Sequence, residues 1–180
     1  MRRLLKILAA WLPLALVVTA FCALAYLIVQ QALRQGANDP QIQMAEDAAK
    51  ALDSGARIGS VVPNEKVEFS QSLAPFLVVY DEAGKAVAGS GVLDGELPDY
   101  PIGALEAAKS SGENRVTWQP RPGVRIASVA VPYQLGFVVA GRNMREVEAR
   151  ESQAGLMAAA AWAATMLAVT VLAVVGGFLS

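Results

Sequence analysis

Two long apolar runs lie near the ends of the sequence, and a mixed polar and apolar segment separates them. Neither residues 7–29 nor residues 155–180 include a charged side chain. Each run exceeds the roughly 20 residues that a helix needs to cross a hydrocarbon layer of about 30 Å. The segment between them is too small to bury two helices that are apolar on every face. The pattern therefore predicts transmembrane helices over residues 7–30 and 155–179.

The first apolar run also has features of a secretory signal peptide. Arg2, Arg3 and Lys6 form a positive n-region, and Ala23-Leu24-Ala25 imitates an A-x-A cleavage site. The run continues to Val29, however, beyond the length that is usual for the apolar part of a signal peptide. An uncleaved anchor is the interpretation that we favour.

The basic N-terminus predicts the orientation, because positive residues stay on the cytoplasmic side. Residues 1–6 are then a cytoplasmic N-terminus, and residues 31–142 form an extracytoplasmic domain. Long loops cross the membrane with little regard to their charge, so the charges of this segment do not oppose that orientation. We expect a two-pass protein of a bacterial inner (plasma) membrane, in contact with the lipid bilayer and with its central domain outside.

Between the apolar runs, a helical pattern comes first and strand patterns follow. Residues 30–54 read as helix with a break near Pro40, and short alternating runs predict five strands, over residues 76–80, 85–88, 114–119, 124–131 and 135–140. A last helix begins near Asn143, with Asn143 as N-cap, and residues 143–154 form a juxtamembrane helix. This order predicts an α+β fold, with an antiparallel sheet of about five strands and a long N-terminal helix between the two transmembrane helices.

Composition narrows the function. The chain has no histidine, which excludes a Ser-His-Asp or Cys-His hydrolase, a histidine-ligated metal and a phosphoaccepting histidine. Its acidic cluster of Asp94, Glu96 and Asp99 lacks the ligand order of an EF-hand. The net charge of −1 does not suggest a nucleic-acid partner. We therefore expect no catalytic residues, no metal, no cofactor and no enzymatic activity.

Three segments suggest a family. The run Phe76-Leu77-Val78-Val79-Tyr80-Asp81-Glu82-Ala83-Gly84-Lys85 resembles the first hairpin of PAS-like Cache domains, the extracytoplasmic sensors of bacterial histidine kinases and chemoreceptors. Residues 124–129 and 136–142 are similar to the closing strands of such sensors. The layout of anchor, domain and anchor is also similar, so the resemblance spans nearly the whole chain.

The resemblance implies a periplasmic sensory domain in signal transduction, which relays the binding of a small-molecule ligand or a partner through its transmembrane helices. Family members continue into HAMP and kinase or methyl-accepting parts, whereas this sequence ends at Ser180. We therefore expect output through a separate signalling or membrane protein, or a truncated sensor kinase, and a homodimer is a further candidate assembly. The alternative is a non-sensing accessory or structural membrane protein whose outer domain docks a partner complex.

The resemblance also implies a ligand position between the sheet and the loops that cover it. The polar and aromatic candidates near that position are Tyr80, Tyr100, Trp118, Arg125 and Tyr133. Arg125 alternates with Val124 and Ile126, so it could hold a carboxylate on the opposite face if a loop covers it, but a solvated arginine is the simpler interpretation. Trp118 alternates with Val116, which favours a core position for it.

The second apolar run contains a possible association surface. Ala160, Ala164 and Ala168 have the small-xxx-small spacing that lets membrane helices approach closely. An equally good explanation is that alanine is common in alanine-rich membrane helices.

Overall fold

The computed structural model describes residues 2–36 and 39–179. In chain order, the helices and strands are α1 (Arg2–Gly36), α2 (Asp39–Asp53), α3 (Ile58–Val61), β1 (Val67–Glu68), β2 (Phe76–Asp81), β3 (Ala86–Gly89), β4 (Gly91–Val92), α4 (Ile102–Ser111), β5 (Asn114–Arg121), β6 (Val124–Tyr133), β7 (Gly136–Asn143) and α5 (Arg145–Leu179). These elements belong to two compact units. One unit contains the long apolar helices, and the other is the segment Gln35–Glu148.

The apolar unit contains two helices that are long and apolar enough to cross a membrane. The candidate spans are Ile7–Leu33 in α1 and Arg145–Phe178 in α5, with mean hydropathies of 2.5 and 2.1. Only 6% of the first span's most apolar window is buried in the protein, and none of the second's. Large side chains such as Phe21 and Leu172 are exposed. This composition and exposure are consistent with membrane anchoring.

The segment Gln35–Glu148 is built on an antiparallel five-stranded sheet in the order β3-β2-β7-β6-β5. Strand β7 occupies the centre, where it pairs with β2 on one side and with β6 on the other. Side chains alternate between the two faces of a strand, so each strand of the central trio contributes to two cores. The predicted α+β class with a five-stranded antiparallel sheet is confirmed.

Helix α2 covers one face of the sheet. Its Ala45, Ala48 and Ala49 are buried against valines and leucines of the central strands. These alanines recur at the three- and four-residue spacing of one helix face. Because their side chains are small, the helix axis can approach the sheet closely, and the face is filled by β-branched residues from the strands.

Helix α4, the β1–β4 pair and residues 93–101 cover the opposite face. The parallel β1–β4 pair joins Val67 with Gly91 and Glu68 with Val92. Strands of two residues are too short for alternation in the sequence to predict them. The pairing is made by long-range contacts instead, such as the 2.7 Å bond from the Val67 amide to the Ser90 carbonyl.

Gly141 of β7 lies in a closely packed part of the sheet. A Cβ at this position would lie 2.6 Å from Cζ of Phe76 and 2.9 Å from Cγ2 of Ile126. Gly141→Ala should therefore lower the free energy of unfolding by about 1–3 kcal/mol, measured by urea unfolding of the detergent-solubilised full chain. Gly103→Ala is the matched control, because a Cβ there meets nothing within 4 Å. Equal stability of the two variants would contradict this account of the packing.

Candidate functional site

Three of the predicted ligand residues come together in one buried cluster. Five rings form a continuous series of contacts, which we call the aromatic layer: Phe76, Phe69, Trp118, Tyr100 and Tyr80. Along this series the ring centroids are 4.7, 5.8, 5.1 and 5.9 Å apart. All five side chains are buried. The space between the sheet and its covering loop is therefore occupied by the protein's own rings.

The two tyrosine hydroxyls of the aromatic layer are paired inside the protein. The Tyr80 hydroxyl donates to the Pro98 carbonyl at 2.9 Å. The Ser128 hydroxyl donates to the Val116 carbonyl at 3.0 Å, so the 2.9 Å contact between Tyr100 and Ser128 uses the tyrosine hydroxyl as donor. A ligand that binds here would have to displace these bonds. The ligand-binding role of these residues stays a prediction.

Burial also controls the ionisation of these tyrosines. Burial is the main cause that raises the pKa of Tyr80, and the neighbouring Tyr100 and Asp99 add to it through charge repulsion. Burial likewise raises the pKa of Tyr100, although its bond with Ser128 acts in the opposite direction. Both phenols are therefore neutral hydrogen-bond donors over the physiological pH range.

Arg125 lies on the other face of the sheet. Its neighbours Val124 and Ile126 are buried in the core that contains the aromatic layer, so strand alternation directs Arg125 away from it. The guanidinium is exposed and binds the carboxylate of Glu148 in α5, with Nη1 and Oε1 2.5 Å apart. Arg125 thus holds a carboxylate, as its residue type allows, but this carboxylate belongs to the chain itself.

Tyr133 occupies a third location, near the end of β6. It is half-buried and packs against the core under α2. A cavity of about 60 Å³ beside it is also lined by Glu82 and Lys109. Ligand pockets are usually about 300–1,000 Å³, so this cavity suits a few water molecules. The five predicted residues are therefore distributed over three separate places.

The densest polar arrangement lies where the sheet meets the last helix. Strand β7 ends at Asn143, and α5 begins at Arg145. Asn143 is only 5% exposed. Its Nδ2 donates to the Phe69 carbonyl at 2.8 Å, and its Oδ1 accepts the Arg145 amide at 2.8 Å. We call this connection, with residues 69–73 and the first turn of α5, the exit junction.

Further hydrogen bonds connect the end of β7 and the start of α5 with residues 69–73 and with β6. The Arg145 guanidinium donates to the Gln71 carbonyl at 3.2 Å, and Arg142 Nε donates to the Leu73 carbonyl at 3.0 Å. The amide of Met144 donates to the Arg125 carbonyl at 2.9 Å. Residues 69–73 therefore form a short collar beside the start of the helix. Phe69 belongs to both the collar and the aromatic layer, so the two are joined within one residue.

The start of α5 differs slightly from the sequence prediction. A helix beginning near Asn143 is confirmed, but the first intrahelical bond runs from the Glu148 amide to the Met144 carbonyl at 2.9 Å. Met144 is therefore the N-cap, and Asn143 lies one residue before it. The reason is that β7 remains paired with β6 through Asn143, which lies opposite Ile126, so this residue cannot leave the strand.

The predicted association stripe lies on an exposed part of α5. Ala160, Ala164 and Ala168 are all exposed. Contacts with α1 involve other residues, among them Trp162 and Thr170. The role of the stripe in association stays a prediction.

Comparisons of the chain with known protein families, with curated proteins and with solved structures found no match. Function must therefore be argued from the exit junction, the aromatic layer and the apolar helices.

The raised pKa values of Tyr80 and Tyr100 predict a loss of stability at alkaline pH. Their stabilising contribution is complete below about pH 10, where the tyrosines of the unfolded chain are also neutral. Above that pH the unfolded chain releases these protons before the folded chain does, so the free energy of unfolding falls as the pH rises, by at most about 1.4 kcal/mol per pH unit for each buried tyrosine. Urea unfolding between about pH 9 and 11 should show a shallower decline for the Tyr80→Phe, Tyr100→Phe double variant. Parallel declines would refute the assignment.

Asn143 should control the order of the first turn of α5. Asn143→Ala leaves the Phe69 carbonyl and the Arg145 amide without their partner, which should cost about 1–3 kcal/mol and accelerate hydrogen exchange at residues 145–148. Asn114→Ala is the control, because its side chain makes a comparable 3.0 Å bond to the Ala104 carbonyl away from α5. Faster exchange at residues 145–148 in both variants would mean that the effect is not local to the exit junction.

Proposed function

We propose that this chain is a two-pass membrane protein whose segment Gln35–Glu148 is an extracytoplasmic signal-input domain. The two apolar spans support the anchoring, and the basic residues Arg2, Arg3 and Lys6 support a cytoplasmic N-terminus. The central domain then lies outside the membrane, and its output passes through α5 to a separate protein or to a further module.

The fold supports a PAS-like sensory domain. Numbered along the chain, the five strands lie in the order 2-1-5-4-3 across the sheet, which is similar to the order in PAS-like domains. The hairpin from Phe76 to Lys85, which carries the resemblance to Cache sensors, contains β2 and its turn into β3. Its Asp81 side chain accepts the Lys85 amide at 2.8 Å and closes the turn.

The observation that carries the proposal is the exit junction. The central strand of the sheet passes into α5 with only Met144 between them, and α5 contains the second apolar span. Side chains on both sides of Met144 bind the collar, through Asn143 to Phe69 and through Arg145 to Gln71. A displacement of the collar or the aromatic layer is therefore transferred to the first turn of α5, because directional bonds and packed rings resist independent movement.

The state of the aromatic layer favours a partner over a small molecule as the input. Its hydroxyls are bonded within the domain, and its rings contact one another. A partner that binds the outer surface can shift the layer without displacing these bonds. A small-molecule ligand would need an opened form of the layer, which a ligand screen by thermal stabilisation would detect.

The same closed layer also favours the alternative, a non-sensing accessory protein that docks a partner complex. The two functions differ in what happens to α5. A sensor changes the state of α5 when the domain is perturbed, whereas a docking protein only needs a stable surface. A reporter placed after α5 therefore distinguishes them.

The test uses the full chain fused after Leu179 to a HAMP–kinase reporter. If the exit junction transmits a signal, Arg125→Glu and Glu148→Arg should each change basal kinase output, because each places like charges at the contact between β6 and α5. The double variant, which exchanges the charges, should restore the output. A severalfold change would correspond to about 1 kcal/mol in the equilibrium between two states.

Arg115→Glu is the matched control. Arg115 of β5 forms an ion pair with Glu113 at 2.6 Å. Like the pair of Arg125 and Glu148, this ion pair is partly exposed, but it does not involve α5. It should leave the output unchanged. Protease protection of inverted and right-side-out vesicles confirms insertion and orientation in the same cells. If the chain inserts correctly and the kinase output is the same in the Arg125 and Glu148 variants as in the native chain, the signal-input function is refuted and the docking function is left.

A further inference from the structure

The two apolar helices make a reciprocal pair of polar contacts. Trp11 Nε1 of α1 donates to Thr170 Oγ1 of α5 at 2.9 Å, and Trp162 Nε1 of α5 donates to Thr19 Oγ1 of α1 at 3.0 Å. Residues early in one helix face residues late in the other, so the helices are antiparallel. Eight positions separate the tryptophan from the threonine on both helices. Each helix thus contributes one donor and one acceptor at matching positions.

The chemistry of an indole makes these contacts selective in a membrane. The indole N–H is a donor without an acceptor function, and the hydrocarbon interior supplies no water to satisfy it. Thr170 also donates its own hydroxyl hydrogen to the Met166 carbonyl at 2.7 Å. Its oxygen lone pairs remain available for Trp11, so this hydroxyl is satisfied as donor and acceptor at once.

Among registers that differ by one helical turn, only the observed one gives both indoles a hydroxyl acceptor. A slide of one helical turn, about 5.4 Å, would bring each tryptophan to a residue four positions from its threonine. Those residues are Ala15 and Ala23 on α1 and Met166 and Val174 on α5. Alanine and valine have no side-chain acceptor, and the methionine thioether is a weak one. Because the two contacts lie about 12 Å apart along the helices, they resist both sliding and a change of crossing angle.

We propose that Trp11–Thr170 and Trp162–Thr19 form a register lock, which holds α5 in one axial position against α1. An axial displacement of α5 must break both bonds together, so the helix moves between discrete registers rather than gradually. This inference rests on the proposed function in one respect, namely that α1 and α5 span the membrane.

The chain's single cysteine provides the assay. Cys22 is half-buried and lines a groove of about 450 Å³ between α1 and α5, together with Gly155 and Ala159. Ala159→Cys places a second thiol across this groove, and Ala163→Cys places it one turn further along α5. Oxidation with copper phenanthroline, with the full chain in phosphatidylcholine vesicles, should give more disulfide with position 159 than with position 163. The ratio of the two yields measures the register.

The lock predicts how that ratio changes. Loss of one interhelical hydrogen bond in a membrane should change the population of the native register by about threefold. The Trp11→Phe, Trp162→Phe double variant should therefore lower the ratio by close to an order of magnitude. The Thr19→Val, Thr170→Val double variant removes the acceptors while it keeps the side-chain shape, and should lower the ratio similarly. Thr165→Val is the control, since its hydroxyl donates to the Ala161 carbonyl of its own helix at 2.8 Å.

The outcomes separate the lock from the proposed function. Protease protection of the same vesicles reports whether both helices span the bilayer. With both spans inserted, a ratio that neither double variant lowers overturns the lock alone. If the native chain does not insert both spans, the proposed function and the lock fail together. A lowered ratio in both double variants, with no change in Thr165→Val, establishes the lock.

Discussion

The bond between the Asn143 side chain and the Phe69 carbonyl connects the end of the central strand with the collar and the aromatic layer. Asn143 ends the central strand and holds the first amide of α5, while Phe69 contributes its ring to the aromatic layer. The bond is buried, so neither group has water as an alternative partner. An amide is well suited to this position because it donates and accepts at the same time. The Asn143 side chain therefore joins sheet, collar and helix at one point, and the bonds of Arg142 and Arg145 to the collar add to it.

The two faces of the sheet serve different purposes. Under α2, small alanines and β-branched residues make a tightly packed core of apolar side chains. The opposite face combines large rings with the buried hydroxyls of Tyr80, Tyr100 and Ser128, each of which has a defined partner. Side chains that are held by directional hydrogen bonds have few alternative arrangements. A displacement of one side chain on this face therefore shifts its bonded neighbours in a defined direction. The collar is attached to this second face.

In the membrane that we propose for α1 and α5, a different balance governs their packing. Lipid is as apolar as leucine, so burial of apolar surface gives little preference for one packing of the helices over another. Hydrogen bonds between side chains then carry more of the specificity than they do in water. In the register lock that we propose, the two tryptophan–threonine contacts supply that specificity for α1 and α5. The chain therefore uses side-chain hydrogen bonds to define geometry in both units, although the surroundings differ.

The sequence by itself determined the features that depend on neighbouring residues. Uncharged runs define the two candidate spans, alternation defines the strands and the face of Val124 and Ile126, and helical spacing defines the buried face of α2. These patterns are local, because they follow from the repeat of a helix or a strand. The α+β class and the approximate start of α5 follow from their order.

The tertiary structure alone decided which distant residues meet. Asn143 and Phe69 are 74 residues apart, and Trp11 and Thr170 are 159 apart, so no local repeat relates them. Strand order and register placed Tyr80, Tyr100 and Trp118 in one layer, and they separated Arg125 and Tyr133 from it. They also gave Arg125 its partner Glu148. Such pairings depend on how the whole chain packs, since residue type states only what kind of partner a side chain needs.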